Sequence, residues 1–332
     1  MMLLLTAWLP PLLLLSSSPS LANAQSNGIT IKEWVIPTPN SAPHDIVADK
    51  NGVIWFTEIN ANKIGRFDPQ TEHFSEFDIP TAGSMPHGLI VNYNGNNNNN
   101  TIVWFTELGA AKIGKLDVNI RKFEEFPTPT PNSGPHTPIM GKGVLWFTEI
   151  NVSKIGRLNI TTGKIDEFQT PTKNSSPYGI ITDSDGNAWY AALTGHRIAK
   201  IDRQSGNITE YPTPTKDSAT RRITIDSNGK LWFTEYNAAK IGSFDPKKNE
   251  FKEFETISKS SGPYAICVDI HDNIWFSMAE AHKVGRFNQS NNRLEEYDLP
   301  TPGTVIRFML ADKDGNIWFA NNNNNKIGVI KQ

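Results

Sequence analysis

From residue 29 onward, apolar and polar residues alternate in short runs, and proline, glycine, asparagine or aspartate cuts each run. The unit is clearest between residues 74 and 116. Phe74-Ser75-Glu76-Phe77 alternates and is broken by Ile79-Pro80-Thr81. Pro86-His87-Gly88 opens the run Leu89-Ile90-Val91. A polar turn follows, written elsewhere in the chain as Asp-x-x-Gly-Asn. Val103-Trp104-Phe105-Thr106-Glu107 comes next, then a four-residue turn and Lys112-Ile113-Gly114-Lys115-Leu116. A period of two bounded by turn residues predicts strands. No stretch sustains a helical period, so residues 25–332 read as all-β.

The unit repeats. Trp55, Trp104, Trp146, Trp189, Trp232, Trp275 and Trp318 stand 49, 42, 43, 43, 43 and 43 residues apart. A period in the low forties with four strands per unit predicts propeller blades, and seven copies predict a seven-bladed β-propeller. The last unit ends at Ile327-Gly328-Val329-Ile330 and lacks the outer strand seen elsewhere as Phe123-Glu124-Glu125-Phe126. That strand is expected from the other end of the chain, as Ile31-Lys32-Glu33-Trp34, which would close the ring and remove an open sheet edge.

Residues 1–24 differ in kind. Met2 to Leu15 is apolar around Pro10-Pro11, and Ala22-Asn23-Ala24 precedes Gln25. This reads as a signal peptide that directs secretion, or as an anchor if it stays uncleaved. Apart from it, no integral membrane domain is expected. The net charge of −2 is interspersed and makes no electrostatic case for nucleic acid. The single cysteine, Cys267, excludes an intrachain disulfide and reads as a buried small hydrophobe. Asn-x-Ser/Thr sequons start at Asn99, Asn151, Asn159, Asn174, Asn207 and Asn288. The asparagine runs 96–100 and 321–325 read as mobile loop tips. A closed propeller of this size is expected to be a monomer.

Candidate chemistry lies at equivalent positions of the blades. The residue that opens the second run is His44, His87, His136, Tyr178, Arg221, Tyr264 and Arg307. These seven are expected to ring one mouth of the central channel. Convergent polar groups in a concave site are the default binding-site signature, for a small molecule or a protein partner. Neutral imidazoles are also metal ligands and acid–base groups, although Asp45 is the one carboxylate beside them. A second set follows each Trp by three: Glu58, Glu107, Glu149, Ala192, Glu235, Met278 and Asn321. Five residues on stand Lys63, Lys112, Lys154, Arg197, Lys240, Lys283 and Lys326. Each Glu and Lys is expected to pair across its hairpin turn, a structural role. The glycine of Lys-Ile-Gly fits a close strand approach.

Ile-Pro-Thr-Pro-Asn-Ser-x-Pro-His-x-Ile, Trp-Phe-Thr-Glu and Asn-x-Lys-Ile-Gly-Arg, best seen at residues 36–66 and 127–157, resemble the streptogramin B (virginiamycin B) lyases. The resemblance spans the chain after its leader. It implies a seven-bladed propeller that opens a cyclic depsipeptide ester by elimination, with Mg²⁺. It also implies a catalytic histidine on blade six, and a Glu-Pro-His on blade seven. This chain has Tyr264 on blade six, and Val305 and Arg307 on blade seven. The family's Trp-Phe-Ala-Met appears as Trp275-Phe276-Ser277-Met278, with Glu280 one residue later than the family's acid. The reading is therefore a secreted propeller that binds a ligand or partner at the channel mouth, with Tyr178, Arg221, Tyr264 and Arg307 as ligand contacts. The alternative is a Mg²⁺-dependent lyase whose site is rotated onto His44, His87 and His136.

Overall fold

The computed structural model describes residues 23–26, 28–94 and 100–332. Seven antiparallel sheets follow one another along the chain, and six of them are built from four consecutive strands. Blade one, for example, runs Pro43–Ala48, Ile54–Glu58, Lys63–Asp68 and His73–Asp78 from channel to rim. The expected closure is observed: Ile29–Val35 pairs antiparallel with Lys326–Lys331 and so supplies the fourth strand of blade seven. One addition was not anticipated. Asn23–Ser26 pairs with Ile29–Val35 and makes this sheet five-stranded. The greater part of the leader, and residues 95–99 with most of the first asparagine run, lie outside the described residues. Among those described, no helix is long and apolar enough to cross a membrane.

Packing between blades explains the repeated words. Trp55, Trp146, Trp232 and Trp275 are fully buried between neighbouring sheets. In four blades the Asp that opens the polar turn holds the indole from behind: Trp189, Trp232, Trp275 and Trp318 donate Nε1–H to Asp183, Asp226, Asp269 and Asp312 at 2.9–3.0 Å. The glycine of Lys-Ile-Gly lies directly opposite the phenylalanine of Trp-Phe. A Cβ on Gly156 would sit 2.0 Å from the Phe147 ring, so the ring lies flat over bare backbone. Cys267 is buried, and burial pushes its thiol pKa up.

The expected Glu–Lys pairing needs correction. Glu58 and Lys63 are indeed opposite in register. The lysine nevertheless bonds the glutamate of the outer strand: Lys63 to Glu76 at 3.0 Å, Lys112 to Glu125 at 2.7 Å, Lys154 to Glu167 at 2.7 Å, Lys240 to Glu253 at 2.8 Å. Arg197 and Lys326 do the same with Glu210 and Glu33, while Lys283 takes Asp298. The outer glutamate also receives the Thr of each Pro-Thr linker, as Thr38 to Glu76 through its amide at 3.0 Å and its hydroxyl at 2.6 Å. The same clamp recurs to Ser258–Glu296 and Thr301–Glu33, so it ties the linker to the blade all the way round. Glu58, Glu107, Glu149 and Glu235 are left fully buried beside it, and burial raises each to about 7.

The second asparagine run is also no loose tip. Asn321 is buried and bonds Glu33 and Thr304. Asn325 adopts φ +54, a left-handed conformation that Asn tolerates. Its Oδ1 accepts from the Ser41 amide and hydroxyl, and its Nδ2 donates to the Ile36 and Thr38 carbonyls. The run therefore staples blade seven to blade one.

Candidate functional site

A β-bulge places the ring residues. In blade one, Pro43 pairs with Glu58 and Ile46 with Phe56, so His44 and Asp45 together face Thr57. The Thr57 hydroxyl accepts the Asp45 N–H at 3.0 Å and donates to the His87 carbonyl of the next blade at 2.9 Å. Thr106, Thr148 and Thr234 repeat this stitch, and Ser277 makes it one residue earlier, to the Ile306 carbonyl. A bulge re-aims its side chains, here toward the channel axis.

The seven predicted residues do meet. His44 and His87 ring centroids are 3.8 Å apart, His87 and His136 3.7 Å, and His136 and Tyr178 4.0 Å. Tyr178 and Tyr264 touch through their hydroxyls. Arg307 lies 4.7 Å over the Tyr264 ring, and Arg221 4.6 Å over it and 3.9 Å over Tyr236. The imidazoles and phenols are buried, whereas the two arginines are half-exposed. The mouth is thus a closed floor of stacked rings flanked by two guanidinium groups, not an open well.

Electrostatics follow from that packing. Burial, and then the like charges of neighbouring groups, hold all three histidines below their usual range; His87 is lowered to about 3. Their ring nitrogens are committed in part: His87 Nδ1 lies 3.2 Å from the His136 carbonyl and His136 Nδ1 2.8 Å from the Thr137 hydroxyl. Burial raises Tyr178. Burial also pushes Tyr264 upward, but Arg307, Arg222 and Arg221 outweigh it and the net shift is down.

Sequence reasoning missed two residues, Arg222 and Tyr236, and named Asp45 and Glu280 without assigning them to the site. Arg222 and Asp45 sit one position after the ring, in the layer beneath it. Arg222 is 2% exposed and donates through Nη1 to the Thr137 hydroxyl at 2.9 Å. Burial raises Asp45 to about 7 against the pull of Arg222. Tyr236 and Glu280 bond each other at the rim, beside Arg221. The signal for Arg222 was the Arg221-Arg222 doublet, in a layer that is otherwise Asp, Gly, Thr, Gly, Ala and Phe.

Mg²⁺ asks for six oxygen ligands in octahedral array. The mouth offers stacked imidazole faces, two phenols and two guanidinium groups, and in the layer beneath it Asp45 interacts with Arg222. Among the described residues no three His, Cys, Asp or Glu side chains are grouped to hold a metal. The donor set does not fit the ion.

A profile of the Virginiamycin B lyase family matches residues 20–98, 96–249 and 203–332. A streptogramin B lyase structure is 34% identical, over 91% of this chain and 97% of that one, with a TM-score of 0.84. A catalytically inactive histidine-to-alanine virginiamycin B lyase from Staphylococcus aureus, solved with quinupristin, is 31% identical over 92% and 99%, with a TM-score of 0.85. The WD40 β-propeller domain of Doa1, 14% identical with a TM-score of 0.69, shares the fold alone. No curated protein matches the chain. With nearly its whole length covered by that profile, the chain belongs to the virginiamycin B lyase family.

Proposed function

We propose that this chain is an exported binding propeller, which takes an acidic group of a small molecule or partner protein at its channel mouth through Arg221 and Arg307. One observation carries the reading. The histidines stacked at the mouth are desolvated, His87 to about 3, and so are poor bases for removing a proton at neutral pH. The partly buried Arg221 and Arg307, pre-set against Tyr236 and Tyr264, are the less buried members of the ring. The leader at residues 1–24 supports export.

Calorimetric titration with hexaglutamate, and separately with a streptogramin B, tests this. The acidic probe is expected to bind and to lose at least tenfold in affinity in an Arg221→Gln/Arg307→Gln double variant. No binding of the acidic probe, or equal affinity in the variant, would refute it. The 34% identity to a streptogramin B lyase supports a second reading, Mg²⁺-dependent elimination at His44, His87 and His136. The absent oxygen ligands weigh against it.

A further inference from the structure

Below the ring, the channel changes character. Its opposite end is a cavity of about 200 Å³ formed by the inner strands of all seven blades. Val47, Ile90, Ile181, Val268 and Leu310 are among its walls, and Arg222 is the one charged residue that lines it. Arg222 is fixed in place. Its guanidinium carbon lies 4.8 Å from the Phe308 ring and 5.3 Å from the Tyr178 ring, and Nη1 is held by Thr137. Nε and Nη2 are buried and have no hydrogen-bond partner. Those two nitrogens form the edge of a guanidinium that grips a carboxylate with two parallel bonds. A buried cation with an unpartnered edge is costly unless an anion meets it. Asp45 interacts electrostatically with Arg222 but makes no ion pair with it, and is itself raised to about 7.

We propose that this cavity is a second site, which binds a small apolar monocarboxylate from the face of the propeller opposite the histidine ring. The carboxylate would meet Nε and Nη2 of Arg222, and the hydrocarbon body would fill the space between the aliphatic walls. Size sets the class. A cavity of roughly 150 Å³ accommodates benzene, so this volume suits an aryl or branched alkyl acid with about six to eight carbons. Selectivity against a neutral isostere would come from the charge, because the walls alone hold either body equally well.

The test uses the full chain and benzoate, with benzyl alcohol as the neutral comparison. Saturation-transfer NMR and calorimetry measure affinity, and intermolecular NOEs locate the ring. Benzoate is expected to bind at least tenfold more tightly than benzyl alcohol, with NOEs to methyl groups of Ile181, Val268 and Leu310. Arg222→Met should lose at least tenfold in benzoate affinity and leave benzyl alcohol unchanged, while Arg222→Lys should recover part of the loss. Arg221→Gln/Arg307→Gln should bind benzoate normally, which separates this site from the mouth. No benzoate binding at millimolar concentration, equal affinity for the alcohol, or NOEs to the mouth tyrosines instead would each overturn the proposal. The NOE arm rests on the unmodified chain, so it decides the matter even if Arg222→Met fails to fold.

Discussion

The buried glutamates make stability depend on pH in an unusual direction. Glu149 is fully buried, and its carboxyl rises from 4.5 to about 7, first through burial and then through the neighbouring Glu167. A group that is a weaker acid when folded stabilises the fold while it stays protonated. That contribution is complete below pH 4.5, where the unfolded chain is protonated too, and is lost as pH climbs to about 7. A rise of two and a half units at 1.36 kcal/mol each sets an upper figure of about 3 kcal/mol for this site. Glu149→Gln has nearly the same shape and no proton to lose. At pH 5 the variant should lie within about 1 kcal/mol of the parent. At pH 8 it should have gained up to about 3 kcal/mol on it. Urea unfolding of both chains from pH 5 to 8 measures the difference and cancels the opposing contribution of depressed carboxylates such as Glu76 and Glu253. Parallel curves for the two chains would refute the reasoning, since they would mean that Glu149 ionises inside the fold as easily as outside it.

Other consequences concern the scaffold. Gly156→Ala drives a methyl into the Phe147 ring and should cost about 1–3 kcal/mol, read as a lower melting temperature. Glu167→Ala leaves Lys154 and the Thr130 amide without their acceptor, and should cost about 2 kcal/mol in urea unfolding. The same change should lower the carboxyl of Glu149, visible as a weaker pH dependence. Deleting residues 29–39 removes the strand that closes blade seven and should lower the melting temperature of the whole ring; an unchanged value would contradict closure by this strand.

The tryptophan spacing made the blades legible because each blade must bury one large side chain against its neighbour. The proline-led second run made the ring legible because a bulge at a fixed point in each inner strand aims the same position at the axis. The lysine partners were misjudged for a physical reason. Lys63 stands in the third strand, in register with Glu58 on one side and Asp78 on the other, yet its ammonium reaches diagonally to Glu76, which register alone does not foretell. The choice was nonetheless written in the chain. The outer glutamate occurs in all seven blades, as Glu76, Glu125, Glu167, Glu210, Glu253, Glu296 and Glu33, whereas the inner one gives way to Ala192, Met278 and Asn321. Asn321–Asn325 looked like a featureless polar run because composition does not reveal the left-handed turn that lets Asn325 bond four backbone and hydroxyl groups. Arg222 escaped notice because its layer has no residue type common to the blades, and its importance comes from what the other six blades leave open around it.

Whether the mouth binds or breaks its ligand decides the account. The direct measurement incubates the purified chain with a streptogramin B and Mg²⁺, with and without chelator, and follows the products by chromatography and mass spectrometry. Elimination would give a linear species of unchanged mass, and hydrolysis would add one water. The desolvated histidines and the missing oxygen ligands predict neither product. A linear species of unchanged mass, lost with chelator and lost again in a His44→Ala/His87→Ala/His136→Ala chain, would contradict the binding account and establish a lyase built on the histidine arc.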